Sequence, residues 1–398
     1  MHACAPLSDS YWIIKGLLAS NMRDTARGMV QNMLHQLRTY GFIPNGGRLY
    51  YLNRSQPPML SEMVVAMMDD NFDLELLREA LPLLRDEYAF WMDTGDEGHA
   101  VDVTLASGES ATLNRYVTSN ASPRPESYLE DLTTANHESV RGESERTKVW
   151  AEIAAAAESG WDFSSRWMED GQSLHSVRTS QILPVDLNAI MYRFECNMER
   201  LHAMAGETST AIGYASAARA RQQAISELQW NERRRQWVDY HWPSESQLQS
   251  EASASKWLPL WAGAFDEHQG HDAVASLRNS GLLQKGGVAT TLKATEHQWD
   301  WPNAWAPLQE MLIEGCENAG GEGHALAMHI ARVWTASNLK AWRKTNYMFE
   351  KYSAVDKGVG GGGGEYTPQV GFGWSNGVAL SLLARYGDRL ASNKLLQG

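Results

Sequence analysis

Cysteine is scarce in this chain: three among 398 residues, Cys4, Cys196 and Cys316, set far apart. A set so small and odd supplies no disulfide framework and no zinc-ligand spacing. Positive charge is in deficit too, with 35 Lys plus Arg against 48 Asp plus Glu and a net charge of −13. That balance excludes nucleic acid and anionic membrane surfaces as natural partners. No apolar run approaches the roughly 18 residues that a membrane span needs. The opening Met1-His2-Ala3-Cys4-Ala5-Pro6 lacks the basic and apolar regions of a signal peptide. As written, the chain reads as soluble and without an address label. Nucleotide and nucleophile motifs are missing as well. No Gly-x-Gly-x-x-Gly follows a strand, no lysine and Ser/Thr close the glycine run as a phosphate loop requires, and no Ser/His/Asp set has elbow spacing.

Tryptophan, by contrast, is abundant: 16 against 8 phenylalanines. The length allows one large domain or two ordinary ones, and no composition break marks a linker. Helical periodicity dominates. It predicts helices over Met22–Tyr40, with Gly41 as C-cap, and over Leu74–Met92, Thr147–Glu158, Val185–Met204, Thr208–Gln229, Ser246–Phe265, Ala304–Glu317, Glu322–Lys344 and Trp374–Tyr386. Strand-like alternation is confined to Val101–Leu105 and Gly287–Leu292. Long polar loops fall at 44–58, 117–145, 159–184, 294–303 and 353–373. Loops of that length in a compact protein usually carry function. Paired helices with their long loops at one end predict an all-α toroid with its site at the loop end.

Chemistry-bearing residues cluster in those loops. From Gln298 to Pro307 the chain reads Gln-Trp-Asp-Trp-Pro-Asn-Ala-Trp-Ala-Pro. Three flat aromatic faces beside fixed polar groups suit a sugar ring; a buried aromatic turn is the other reading. Asp162 lies among aromatics in Ser159-Gly160-Trp161-Asp162-Phe163, where Gly160 would let backbone approach closely. Aromatic walls disfavour a charged carboxyl, so Asp162 could serve as a general acid. It could equally be a helix cap, or the ion-pair partner of Arg166. Glu350 precedes Lys351-Tyr352 and could be a plain surface residue. Five glycines, Gly360 to Gly364, lead into Glu365 and read as a linker or as a bare backbone passing close to a ligand. Arg54 and Arg124 sit on proline-stiffened loops, where a guanidinium can bind hydroxyls or orient a carboxylate, or form an ordinary ion pair. Asn53-Arg54-Ser55 and Asn120-Ala121-Ser122 are glycosylation sequons.

Taken in order, these motifs resemble the trehalases of glycoside hydrolase family thirty-seven, the animal-type members above all. The matching pieces are Asp9-Ser10-Tyr11-Trp12, Ile43-Pro44-Asn45-Gly46, Arg54-Ser55-Gln56-Pro57-Pro58 and Arg124-Pro125-Glu126-Ser127. Ser159-Gly160-Trp161-Asp162, Gln298–Pro307, Glu350-Lys351-Tyr352 and Gly361–Tyr366 complete the set. The resemblance implies an (α/α)6 toroid that hydrolyses α,α-trehalose to two glucoses with inversion and no metal or organic cofactor. It makes Asp162 the general acid and Glu350 the general base. It makes Asp9, Asn45, Arg54, Ser55, Gln56, Arg124, Pro125, Glu126, Gly160 and Glu365 sugar contacts, and it gives Asp300 no catalytic role. One departure stands out. Of the family's first signature only Asp9-Ser10-Tyr11-Trp12 remains, Ser8 stands where the family has tryptophan, and the arginine before it is missing. The expectation is therefore one catalytic domain over 1–398 lacking its N-terminal helices, with an atypical start at 1–8 and a tail at 387–398. An inactive isoform that binds sugar or a partner is the alternative.

Overall fold

The computed structural model describes residues 9–364 and 367–391. Its helices are α1 (Asp9–Ala19), α2 (Arg23–Tyr40), α3 (Leu60–Asp70), α4 (Leu74–Trp91), α5 (Tyr128–Ala135), α6 (Gly142–Glu158) and α7 (Val185–Met204). There follow α8 (Thr208–Ala224), α9 (Leu258–Ala262), α10 (Glu267–Asn279), α11 (Ala306–Asn318), α12 (Glu322–Thr345) and α13 (Gly373–Ala391). Four strands matter for the argument: β1 (Ala100–Thr104), β2 (Ser110–Asn114), β3 (Asn303–Trp305) and β4 (Lys351–Ser353).

Burial sorts the helices into two rings. Every residue of Leu60–Val65, Leu258–Ala262 and Ala306–Ile313 is buried, as expected of helices packed on all sides. In α2 only one stripe is buried, Ala26, Val30, Met33, Leu34 and Leu37, as expected of an outer helix. Contacts run α1 to α3 to α7 to α9 to α11 to α13, and α13 closes back on α1. These six form the inner ring of an (α/α)6 toroid, while α2, α4, α8, α10 and α12 pack outside it. All six inner helices share one buried polar network. Lys15 pairs with Glu310 at 2.9 Å and Glu314 at 2.7 Å, Arg193 with Glu62 at 2.7 Å, and the Trp261 indole and Ser381 hydroxyl donate to Glu314 and Glu310. No described helix is long and apolar enough to cross a membrane.

Connection length decides where the site lies. From inner to outer helix the chain needs only short turns, such as Ser20–Met22, Asn71–Asp73, Ala205–Glu207 and Ala319–Gly321. Every return from outer to inner helix is longer. The long loops therefore gather at one end, over the N-termini of the inner helices.

Several boundaries differ from the sequence expectation. The helix expected over Ser246–Phe265 is confined to a 3-10 turn, Ala254–Trp257, and α9. Pro259 stands in the first turn of α9, lacks an N–H, and blocks helix upstream, while Gly263 at φ +82° ends it. Helix α10 went unread because its polar residues blur the apolar stripe; its capping box of Asp266 and Gln269 was the available signal. Helices α1 and α3 were also unassigned, α5 lies inside the expected loop 117–145, and α13 continues past Tyr386 to Ala391. Gly287–Leu292 forms only isolated bridges, Val288 to Leu283 and Thr291 to Ser253. Gly41 does cap α2, in the left-handed region at φ +78°.

Two stability predictions arise from the packing. At the α1–α13 seam a Cβ on Gly377 would lie 2.0 Å from the Trp12 carbonyl oxygen, and one on Gly16 would lie 2.6 Å from the Gly377 Cα. Helices this close cannot accept a methyl group without separating. Gly377→Ala should cost about 2–3 kcal/mol in urea unfolding, because overpacking forces a backbone shift. Glu87, on α4, is buried with Oε2 unpartnered, and burial raises its pKa from 4.5 to about 8. Its carboxyl is neutral in both states below pH 4.5, so the penalty grows as pH rises from there toward 8. Glu87→Gln should therefore stabilise the fold by roughly 3–5 kcal/mol at pH 8 and by almost nothing at pH 4, read from denaturation at the two pH values.

Candidate active site

Asp9 opens α1 at the loop end of the ring. It is 1% exposed, and its Oδ2 has no hydrogen-bond partner. Its pKa is raised well above the ordinary carboxylate value, by burial first and then by the charges of Glu350 and Asp162. Three carboxyls from α1, the loop after α6 and the start of β4 thus share one neighbourhood. A carboxyl kept neutral beside two others can donate a hydrogen bond where they accept.

Asp162 follows Gly160, which is left-handed at φ +76°. No atom lies within 4 Å of a Cβ built on Gly160, so the glycine is required by backbone conformation and not by close approach. The ion pair with Arg166 does not form as the alternative had it. Arg166 instead bridges Asp186 at 2.6 Å and Asp239 at 2.8 Å. Its guanidinium also stacks over Trp161 and Trp167.

Glu350 is 5% exposed, which overturns the surface reading. Its Oε2 accepts from the Gln369 amide at 2.9 Å, and its carbonyl oxygen accepts from the Trp374 indole at 2.7 Å. Beside it Lys351 is fully buried, its Nζ donating to Gln298 Oε1 at 3.0 Å and to the Gly363 carbonyl at 2.9 Å. Burial lowers the Lys351 pKa to about 8, against the opposing charges of Glu350 and Asp162.

The tryptophan segment plays a different part from the one its composition suggests. Trp299 stacks on Trp305 at 4.0 Å and on Trp161 at 5.1 Å, and Trp374 meets Trp305 edge-on at 5.4 Å. Trp301, the third tryptophan of the segment, is half-buried, while Trp299 and Trp305, at 6% and 1% exposure, form a buried stack with their neighbours. Asp300 is equally internal. It accepts from Ser164, Ser165, Thr291 and Thr295 at 2.7–3.1 Å and so ties three loop segments together.

The glycine run packs against this same segment. A Cβ on Gly361 would lie 2.5 Å from Asn303 Oδ1, one on Gly363 2.7 Å from the Glu296 carbonyl oxygen, and one on Gly364 2.7 Å from Gln298 Oε1. At these three positions the bare backbone is needed to fit the protein itself. Glu365, the sugar contact expected after it, lies outside the described residues.

The remaining expected contacts gather on two loops. Asn45 Nδ2 donates to the Ser55 carbonyl at 3.1 Å, and the Ser55 hydroxyl donates to the Ile43 carbonyl at 2.8 Å, which closes the 43–55 loop. Gln56 is buried beside them. Arg54 pairs with Glu126, joining this loop to Arg124-Pro125-Glu126. Pro125 lies exposed. Arg124 is held by Asp131 through three guanidinium bonds and a backbone bond, and it lies over the Phe163 ring at 4.9 Å. The arginine forks are thus set by carboxylates while Arg124 reaches the segment that carries Asp162. Asn53 and Asn120, of the two sequons, hydrogen-bond to each other at 2.9 Å.

Glu158 was missed from the sequence. Fully buried, it accepts from the Ser55 amide, both carboxylate oxygens meet His99, and the Val117 amide completes the set at 2.8–3.1 Å. Its place four residues before Asp162 was the one signal available. Among the described residues no group of three or more His, Cys, Asp or Glu side chains could hold a metal ion.

Fold and site together define a helical toroid with a cluster of three carboxyls, Asp9, Asp162 and Glu350, at its loop end. The chain belongs to the trehalase family, whose model matches residues 8–387. It is 41% identical to a probable trehalase of Oryza sativa over 95% of this chain and 70% of that one. It is also 41% identical to the trehalase of Homo sapiens, over 98% of this chain and 66% of that one, and to that of Arabidopsis thaliana, over 95% and 62%. The chain thus spans about two thirds of the length of these relatives. Among solved structures it resembles the neutral trehalase of Saccharomyces cerevisiae, with a TM-score of 0.77, 23% identity, and coverage of 98% of this chain and 72% of that one. A mannosylglycerate hydrolase of Thermus thermophilus shares the fold at a TM-score of 0.63 and 14% identity, over 95% of this chain and 93% of that one.

Proposed function

We propose that this chain hydrolyses α,α-trehalose to two glucose molecules by an inverting mechanism, with Asp162 as general acid and Glu350 as general base. The observation that carries the proposal is the convergence of both carboxyls on the buried Asp9 carboxyl at the loop end. In this reading Asp162 protonates the glycosidic oxygen as the bond to the anomeric carbon breaks. Glu350 takes a proton from a water that attacks the same carbon from the opposite face. Inversion needs a gap of roughly 6.5–9.5 Å between the two carboxyls, wide enough for sugar and water. Asp9, Asn45, Arg54, Ser55, Gln56, Arg124, Pro125, Glu126, Gly160 and Glu365 would hold the hydroxyls, with Asp9 supplying a donor through its retained proton. No metal or organic cofactor takes part in these steps. Residues 1–398 would act as one catalytic domain, and among the described residues of the site none favours the inactive alternative.

The test is proton NMR of trehalose with the purified chain, read before the products mutarotate. Equal first-formed α- and β-glucose is the expected result. α-Glucose alone would overturn inversion, and no turnover by the folded chain would overturn the activity.

A further inference from the structure

Lys351 occupies an unusual position for an ammonium. It is fully buried in β4, directly after Glu350, with its charge over the Trp305 ring at 5.3 Å. A core position of this size would be filled more cheaply by methionine, because burying a charge is costly unless it is well paired. Its Nζ instead reaches Gln298 Oε1 at 3.0 Å and the Gly363 carbonyl at 2.9 Å. Gln298, 2% exposed, then donates its Nε2 to the Asp162 carbonyl oxygen. One continuous chain of hydrogen bonds therefore runs from the strand behind Glu350, through a single glutamine, to the backbone of Asp162. A second tie lies beside it, where the Trp299 amide donates to the Phe163 carbonyl at 3.0 Å. On the other side Asn303 clasps Gly362 through both its amide and its carbonyl at 2.8–3.1 Å, so the glycine run is anchored to the same unit.

From this connectivity we infer that Lys351 and Gln298 are a positioning pair that sets the spacing between the Asp162 and Glu350 carboxyls. The inference rests on the roles proposed above for those two residues. Neither Lys351 nor Gln298 is a catalytic residue in this account. They act through the segments they join. An inverting site tolerates little error in that spacing, since displacing a reacting group by about 1 Å can cost 10²-fold in rate. Burial lowers the Lys351 pKa to about 8 and the charges of Glu350 and Asp162 oppose that shift only in part, so the position is a costly one for an ammonium.

The experiment measures kcat, KM and thermal unfolding for Lys351→Met, Gln298→Leu and the double variant, beside Asp162→Asn and Glu350→Gln. Each single variant should lose about 10²-fold in kcat, keep KM within about threefold, and unfold cooperatively. The double variant should be no slower than the slower single, because both cut the same link. Lys351→Arg should recover part of kcat, as a retained charge able to reach Gln298. If Lys351→Met fails to fold, Gln298→Leu carries the test alone, since it severs the link to Asp162 and leaves Lys351 on Gly363. Near-normal kcat in the folded variants, multiplicative losses in the double, or a raised KM at unchanged kcat would overturn the inference. The carboxylate controls separate the two levels. If Asp162→Asn and Glu350→Gln keep their activity, the catalytic roles are wrong; if they lose it and Gln298→Leu does not, only the positioning role fails.

Discussion

Asp162→Asn and Glu350→Gln should each lower kcat for trehalose by about 10²–10⁴-fold, the usual contribution of a positioned general acid or base. Each change keeps the shape and removes one proton-transfer step. Asn cannot protonate the glycosidic oxygen, and Gln cannot take a proton from water. Binding should survive, because the proposed sugar contacts lie mainly on other loops. Isothermal titration of trehalose against the slowed variants should give a Kd within severalfold of the unmutated KM. The two losses should also differ with the substrate. A glucosyl fluoride carries a leaving group that needs no proton, so it should recover much of the rate in Asp162→Asn and little in Glu350→Gln. Recovery in Glu350→Gln and not in Asp162→Asn would mean that the acid and base are assigned the wrong way round; equal recovery in both would mean that the roles fall on other residues.

The second large effect is structural and lies four residues from Asp162. Arg166→Met should destabilise the fold by about 3–5 kcal/mol at neutral pH, because it strands two buried carboxylates without their counter-charge. In the native chain burial pushes the Asp239 pKa up, but the Arg166 charge and hydrogen bonds outweigh burial and hold it below the ordinary value. A lowered folded pKa gives stability that is present above the unfolded pKa and lost as pH falls through the folded one. Removing Arg166 reverses that sign. The buried Asp239 carboxyl then resists ionisation, so the deficit should be larger at pH 7 than at pH 4 in denaturant titrations. Equal deficits at the two pH values would point to lost packing on Trp161 and Trp167 in place of lost charge pairing.

How far the sequence could be read followed from how local each signal was. Helices α2, α4, α7, α8, α11 and α12 announce themselves, because apolar stripes and caps are set within a few turns of chain. Helix α9 was overextended and α10 overlooked where proline, glycine and polar residues broke the stripe. Among candidate site residues the motifs pointed to Asp162, Glu350, Arg54 and Arg124. Their surroundings were another matter. Arg166 reads as a neighbour of Asp162 in sequence, yet its partners Asp186 and Asp239 are 20 and 73 residues away. Glu350 looked exposed beside Lys351, and the fold buries both.

By itself the sequence determined the family and the helical class. Each of those depends on residue type and near spacing. Only the tertiary structure decided that the inner helices close into a ring with every long loop at one end. It alone made Trp299 and Trp305 a buried stack, the glycines a packing device and Asp300 a staple, and it brought Asp9 against Asp162 and Glu350. These outcomes join segments far apart in the chain, and burial, which sets both their charge state and their hydrogen bonding, exists only once those segments have packed.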